Sequence, residues 1–323
     1  MAEESFPLLK LPVDVTKHVV QCMPDIERVI FSFCSKRMKP MAVSPGVRPR
    51  NFTVTIGENC EVLHLRTHRH VIWNLNYYTG KEKVRVGPLM NGRDKPIIWD
   101  QPGWSMAERF NHMCDLFPDI KTDYLSFYSD RFDLNLLPLL RFSDVSELSI
   151  PEGMENSFFN VELLNYFKKL DRIVLYCPRF DSNTQVASIL TRNIPTLSIA
   201  MNFRINFEEL LLINSRYVYL SNQDLTGKRI NMFLKMWMRG SNPQLRSFIF
   251  FFDDWTELED LDCILTGTNF QILPDTKESQ YVDSDGHIVT IHGGLQIRNK
   301  DGIKAIVEFK KDDSEIEFIV IDD

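Results

Sequence analysis

No stretch of this sequence is apolar for long. The longest wholly apolar run is Phe248–Phe252, far short of the roughly 20 residues a membrane-crossing helix needs. The first residues carry Glu3 and Glu4 in place of a basic segment followed by an apolar one, so no secretory signal is expected. The 6 cysteines are widely spaced and form no C-x-x-C pair, and without an export signal they read as reduced thiols of the cytosol or nucleus. Neither sign of charge dominates: the net charge of −7 over 323 residues gives no reason to expect nucleic acid or membrane as a partner. Motifs for covalent or phosphate chemistry are missing as well. There is no G-x-S-x-G, H-E-x-x-H, G-x-x-x-x-G-K-[ST] or G-x-G-x-x-G, so no catalytic residues, no cofactor and no enzyme activity are expected.

Two weaker clusters reduce to structure. Cys60, His64, His68 and His70 would share one parity on a strand, and zinc accepts such ligands. A straight strand rises about 3.3 Å per residue, however, so the outer members lie too far apart without a turn near Thr67, and no metal is assigned. Asp283-x-Asp285-Gly286 opens like a calcium loop, but its twelfth position is Gly294 where a closing glutamate is required, so it reads as a hairpin turn. The neighbours Glu208–Glu209 and Asp253–Asp254 diverge on any regular element and read as solvated charges. Cys22 and Cys34 read as core thiols.

What is present is a 44% apolar, ordinarily folded composition and a distinctive start. Two short amphipathic segments, each led by a proline, precede a larger body. After Pro12, the residues Val15, Val19, Cys22 and Met23 follow at i, i+4, i+7 and i+8; after Pro24, Ile26, Val29, Ile30 and Phe33 follow at i, i+3, i+4 and i+7. This lays one apolar stripe on each of two helices, with proline at a first position where its missing N–H costs nothing. About forty residues cannot bury such stripes alone, so they must dock on the rest of the chain or on another protein.

The pattern resembles the F-box. Leu11-Pro12-x-Asp14-Val15 matches its leading Leu-Pro and acidic-apolar pair, and Val19, Val20 and Met23 its first-helix apolar positions. Pro24 closes that helix, Ile26, Val29, Ile30 and Phe33 match the second-helix core, and Cys34-Ser35-Lys36-Arg37-Met38 matches its Cys-x-x-Trp end. The tryptophan is replaced by Met38, and Pro40 shortens the third helix. The resemblance implies a partner, the Skp-type adaptor of an SCF ubiquitin ligase, contacted through Leu11, Pro12, Val15, Val19, Met23, Ile26, Ile30 and Phe33. Residues 1–50 hold eight Lys/Arg against five Asp/Glu, a balance that fits the acidic adaptor of that family.

A Pro-rich linker follows, with Pro40, Pro45, Gly46 and Pro49 within ten residues. Phe52–Ile56, Glu61–Leu65, Val71–Leu75 and Lys83–Val86 then alternate or run apolar, which predicts an antiparallel meander. Further on, Leu125, Leu148, Ile173, Leu197, Val218 and Phe248 each open an apolar-x-apolar strand, at spacings of 23, 25, 24, 21 and 30 residues. Helical stretches lie between them: Phe159, Leu163, Phe167 and Leu170 form one stripe and Val186, Ile189 and Leu190 a shorter one. Asn206 and Thr226 are candidate N-caps, and Gly240 is a helix stop. Strand-plus-helix units of this length are the signature of leucine-rich repeats, which bury their apolar faces only by stacking. The Asn/Cys that closes a regular leucine-rich turn is missing and Pro138 interrupts one helical stretch, so the stack is irregular. A final helix over 256–265 is expected, and β-hairpins from Tyr281 to Ile321 are expected to cap the stack.

The middle and C-terminal body resembles the F-box-associated type 2 region of a large nematode F-box family. The expectation is an α/β fold: a helical F-box (1–45), a β-meander and linker region (46–100), an irregular leucine-rich-repeat-like stack (101–268) and a β-hairpin cap (269–323). If Leu148 and Ile150 face the core, alternation exposes a tyrosine-rich sheet surface, with Tyr124, Tyr128, Arg172, Tyr176, Tyr217 and Tyr219 as candidate contacts for a target protein. The family implies a substrate-recognition subunit of an SCF-type ligase, cytoplasmic or nuclear, that does no bond chemistry itself. A repeat-based scaffold with no ligase role is the other reading.

Overall fold

The computed structural model describes residues 8–34, 38–42, 51–57, 60–66, 72–78, 83–88, 97–100, 104–117, 121–142, 144–176, 179–200, 205–221, 226–252, 261–310 and 314–321. The chain divides into two compact units, one of residues 1–124 with 132–144, the other of residues 125–131 with 145–323.

The first unit opens with a single 3-10 turn, Leu8–Lys10, followed by helices α1 (Val13–Cys22), α2 (Asp25–Cys34) and the one-turn α3 (Lys39–Ala42). Pro12 stands at the N-cap of α1, and the Thr16 hydroxyl, buried beneath it, reaches the carbonyls of Leu8, Leu11 and Pro12 at 3.3, 3.4 and 3.1 Å. Strands β1 (Asn51–Ile56), β2 (Cys60–Arg66), β3 (Ile72–Tyr78), β4 (Lys83–Pro88) and β5 (Ile97–Asp100) then pair in chain order, all antiparallel. This is the expected meander. Helix α4 (Met106–Leu116) is started by a reciprocal box in which Glu108 N–H donates to Ser105 Oγ and Ser105 N–H to Glu108 Oε2. The core of the unit runs through the rings of Phe52, Phe110 and Phe142, with centroids 5.7 and 4.6 Å apart.

Strand β6 (Thr122–Phe127) leads into the second unit. There β7 (Val145–Ile150), β8 (Arg172–Leu175), β9 (Thr196–Ile199), β10 (Tyr217–Ser221) and β11 (Ser247–Phe251) lie side by side in chain order, all parallel. The crossovers are α5 (Ser157–Tyr166), α6 (Asn183–Leu190), α7 (Phe207–Leu212) and α8 (Gly227–Met238). Parallel crossovers share one hand, so strands laid down in sequence put their helices on one face. The expected caps form: Asn206 accepts from Glu209 N–H and Thr226 from Arg229 N–H, and α8 ends before Gly240, whose φ of +100° suits a residue without a side chain.

The alternation assigns the core face correctly. Leu148, Ile150, Ile173, Leu175, Leu197, Ile199, Val218, Leu220, Phe248 and Phe250 are all buried. Phe233 of α8 meets the rings of Phe248, Phe250 and Phe318 edge-on at 5.0, 5.8 and 5.8 Å.

The C-terminal region departs from the expected run of short hairpins. After α9 (Leu261–Leu265), β12 (Gln271–Val282) and β13 (Ile288–Arg298) make one long hairpin, and β14 (Lys304–Lys310) and β15 (Glu315–Ile321) complete the sheet in the order β12-β13-β14-β15-β11. Most of β12 lies ahead of the expected hairpin region; Pro274, Asp275, Lys277 and Glu278 give it no apolar alternation, because it is an edge strand largely open to water. Gly293-Gly294 is a bend inside β13, opposite the register shift between Leu273 and Glu278. Both glycines have positive φ, and a Cβ on Gly294 would stand 2.5 Å from Ile306 Cγ2. The bend folds the hairpin over, so that Leu273, Ile291, Ile306 and Ile319, one from each of four strands, meet in a single buried cluster with Tyr281 packed against it. Of the helix expected over 256–265, residues 256–260 lie outside the described residues.

Phe233→Ala leaves a cavity where three rings converge. It should cost about 3–5 kcal/mol, read as a lowered urea midpoint for the second unit; a loss below about 1 kcal/mol would contradict this packing.

Candidate functional site

Two surfaces carry the sequence expectations, one in each unit. In the first, α1 turns Thr16 and Val20 inward and leaves Val13 and Val15 at 55% and 46% exposure. Pro12 is exposed, while Leu11, Val19 and Met23 are half-buried. The stripe read from the sequence is therefore the outer side of α1; Val13, two positions from Val15, lies off that stripe, in phase with Thr16 and Val20, and is exposed because it stands at the open first position of the helix. Cys22 lies exposed on this side, correcting its reading as a core thiol. No side-chain placement is described for Ile26 or Cys34.

The second stripe is sealed by the chain itself. Val29, Ser32 and Phe33 are buried and Ile30 is half-buried. Phe33, at 6% exposure, packs its ring 4.3 Å from His112 and 5.4 Å from Trp104. The Ser32 hydroxyl lies 2.8 Å from His112 Nε2. Phe33 is thus a core residue and is withdrawn as an adaptor contact. Met38, in place of the family's tryptophan, is also buried. Lys39 and Arg141 both bind Asp115, and the hydrogen bond from Lys39, ahead of that from Arg141, holds the Asp115 carboxyl below its usual pKa. Burial, then the neighbouring Lys39 charge, pushes His112 down to about 4, against the weaker opposing pull of Asp115.

In the second unit, the face opposite the helices is only partly open. Register places Glu147, Arg172, Thr196, Tyr217, Ser247 and Ile319 in one transverse row, and Ser149, Val174, Ser198, Tyr219, Ile249 and Glu317 in the next. Thr196, Ser247, Ile319, Ser149, Val174 and Glu317 are buried, so the expected continuous exposed surface does not exist. The folded-over hairpin covers part of it. Its turn sets Ser284 Oγ 3.0 Å and Asp285 Oδ1 2.7 Å from Arg172 Nη2. Ser284 Oγ is also 2.9 Å from the Tyr219 hydroxyl, and the Tyr217 hydroxyl donates to the Val282 carbonyl at 3.2 Å. Arg172 Nε is 3.7 Å from Glu147, whose pKa is raised by burial, with Arg172 opposing and Asp285 adding to the rise. Deeper in, Lys310 binds Glu317 at 2.7 Å and Glu315 at 3.1 Å; burial disfavours its charge, but the two carboxylates outweigh that and raise its pKa. Burial, then the Glu317 charge, lifts Tyr281 to about 12.

The structure therefore brings Arg172, Tyr217 and Tyr219 together under the hairpin turn. Tyr128 and Tyr176, just past the ends of β6 and β8, are exposed, and Tyr124 is half-buried. The Asp283 motif is the hairpin turn expected, with Asp283 Oδ1 accepting from the N–H groups of Asp285 and His287. Glu209 is no solvated charge but the buried partner of the α7 cap. Asp253, Asp254, His68 and His70 lie outside the described residues; among those described, no group of three or more His, Cys, Asp or Glu could hold a metal, and no helix is long and apolar enough to cross a membrane.

Against known families, residues 8–48 match the F-box domain and residues 185–250 match the region described as F-box associated. The second match runs from α6 to β11 and includes Tyr217 and Tyr219. The F-box associated domain-containing protein sdz-33 of Caenorhabditis elegans is 22% identical over 260 residues, covering 77% of this chain and 79% of that protein. No solved structure matches the chain.

His112 is neutral in the fold but takes a proton near pH 6.5 when unfolded, so its burial favours folding fully above pH 6.5. That contribution, at most about 3 kcal/mol, is lost as pH falls toward 4. Urea unfolding followed by tryptophan fluorescence at pH 7 and pH 4.5 should show the wild type losing more stability than His112→Gln. Equal losses would mean that His112 is not buried against Phe33.

Proposed function

We propose, from the standing of this chain as an F-box protein with an F-box-associated region of the nematode kind, that it is a substrate-recognition subunit of an SCF-type ubiquitin ligase working inside the cell. The four-part organisation expected from the sequence goes with this reading: F-box (1–45), β-rich region (46–100), leucine-rich-repeat-like body (101–268) and hairpin cap (269–323). The F-box docks on the Skp-type adaptor, and the body binds a target protein. Holding both raises the effective concentration of target beside a ubiquitin-charged enzyme, as linked binding modules do. The chain supplies position and no bond chemistry.

The observation that carries this reading is the uncovered ridge of α1. The inward side chains Thr16 and Val20 already fix the helix, so Val13 and Val15 do nothing for its own fold and remain in water. Together with Leu11, Pro12, Val19 and Met23 they form the proposed adaptor-facing set, and Ile26 and Ile30 of α2 stay in it as the F-box resemblance implies. Exposed valines in the first turn of a helix, beside an exposed proline, are what a helix packing against a foreign subunit presents.

The burial of Phe33 and Ser32 against α4 favours a second reading, in which the helical hairpin is a structural part of its own unit and the chain is an interaction scaffold without a ligase role. Limited proteolysis near Pro45 separates the two: release of an intact N-terminal fragment supports a separable docking module, and protection supports the scaffold.

Val13→Asp with Val15→Asp tests the adaptor reading. Both side chains are exposed, and acids in the first helical turn suit the helix dipole, so folding should be unchanged. Capture of the purified Skp-type adaptor should fall at least tenfold. Undiminished capture would remove α1 from the interface.

A further inference from the structure

The β12–β13 turn sits on the sheet face as a ligand would. It does not need that contact for its own shape. Asp283 N–H donates to the His287 carbonyl at 2.9 Å, Gly286 N–H donates to the Asp283 carbonyl at 3.1 Å, and Asp283 Oδ1 accepts from two backbone N–H groups. What it adds is a second set of contacts to residues 65 to 113 positions away in sequence. Each contact has its own chemistry. The Arg172 guanidinium takes a carboxylate and a hydroxyl together, the Tyr219 hydroxyl meets that same hydroxyl, and the Tyr217 hydroxyl takes a backbone carbonyl. One guanidinium nitrogen shared between a hydroxyl and a carboxylate, with two tyrosine hydroxyls from β10 reaching the same turn, is suited to polar recognition.

The docking contacts are also open to water. The Arg172 and Asp285 side chains are 28% and 62% exposed, so solvent screens the pair and water can replace either partner. The turn stands at the tip of a long hairpin, while Arg172, Tyr217 and Tyr219 stand on strands pinned on both sides. The receiving side is fixed and the occupying side is the one that can leave.

We propose that Arg172, Tyr217 and Tyr219 form a receptor site for an acidic, hydroxyl-bearing turn of a target protein, and that residues 282–286 of this chain are its internal occupant. This rests on the reading of the body as the target-binding part and names the chemistry it accepts: a Ser/Thr hydroxyl followed by a carboxylate, with a backbone carbonyl two residues before the hydroxyl. A tethered occupant competes at an effective concentration of about millimolar, and the apparent affinity of any target is reduced by the fraction of sites left free. Arg172 is held ready on its other edge by Glu147, so it keeps its orientation when the turn departs.

The test uses the full chain and a fluorescein-labelled, end-capped peptide of residues 281–289 followed by fluorescence anisotropy. Ser284→Ala with Asp285→Ala removes the internal occupant's side chains and should bind the peptide at least tenfold more tightly than the wild type. Adding Arg172→Ala should abolish binding, and adding Tyr219→Phe should weaken it several-fold. Equal binding by wild type and occupant-free variant, binding that survives Arg172→Ala, or no binding up to millimolar peptide each overturns the proposal. Unchanged thermal unfolding checks that the variants fold. Adaptor capture measured on the same proteins keeps the two readings apart: peptide binding without capture fails the ligase role alone, and capture without peptide binding fails this site alone.

Discussion

Parallel strands laid side by side in chain order by crossovers of one hand have only one face sealed by those helices, and the second unit is organised around the other. Its core face is apolar wherever strand meets helix. The opposite face alternates small and polar groups with Tyr217, Tyr219 and Arg172. A sheet face in water could simply be polar throughout, but here Ile249 and Ile319 lie on that side as well, and Ile319 must be covered. The long C-terminal hairpin provides the cover. It can do so because β13 bends at Gly293-Gly294, where a side chain would collide with Ile306. Cover and receptor site are therefore one device: the hairpin seals Ile319 with Leu273, Ile291 and Tyr281, and its tip comes to rest on Arg172.

Much of the fold was legible because it is written in local terms. Period-two apolar residues gave the parallel strands, Asn206 and Thr226 gave their helix starts, and Gly240 gave a helix end. What escaped is set at long range. Strand β12 has no apolar alternation because nothing covers most of it, and the folding-over of the hairpin rests on contacts such as Leu273 to Ile319 that no window of sequence contains. Glu209 looked solvated since adjacency to Glu208 says nothing about which of the two caps a helix. In the first unit, amphipathic spacing showed that each helix has a stripe but not which stripe the chain covers itself. Phe33 and Val15 are equivalent by periodicity, and only the stacking of Trp104 and His112 on Phe33 distinguishes them.

That difference bears on how an F-box hairpin can serve two masters. A pair of short helices is unstable alone, so one of them must be anchored if the other is to remain open. Here α2 is the anchor, held by Phe33 in an aromatic slot and by Ser32 on His112. Helix α1 is fixed from beneath by Thr16, whose hydroxyl reaches back to the carbonyls before the helix. Anchoring through buried polar groups fixes orientation as well as position, because an unmet hydroxyl or imidazole is costly. The open ridge is thus preorganised, which lowers the entropic cost of docking a partner on it.

An internal occupant changes what recognition by the body means. If the sheet face were bare, any acidic peptide could collect on Arg172 through charge alone, and one exposed arginine discriminates poorly. With the turn in place, a competitor must match several features at once, a carboxylate, a hydroxyl and a carbonyl in the spacing of residues 282–285, merely to equal what it displaces. Weak partners that satisfy only the charge are excluded, since specificity is a difference of affinities and the tethered turn sets the reference. The cost is affinity, since any target binds only the fraction of sites that the turn leaves free.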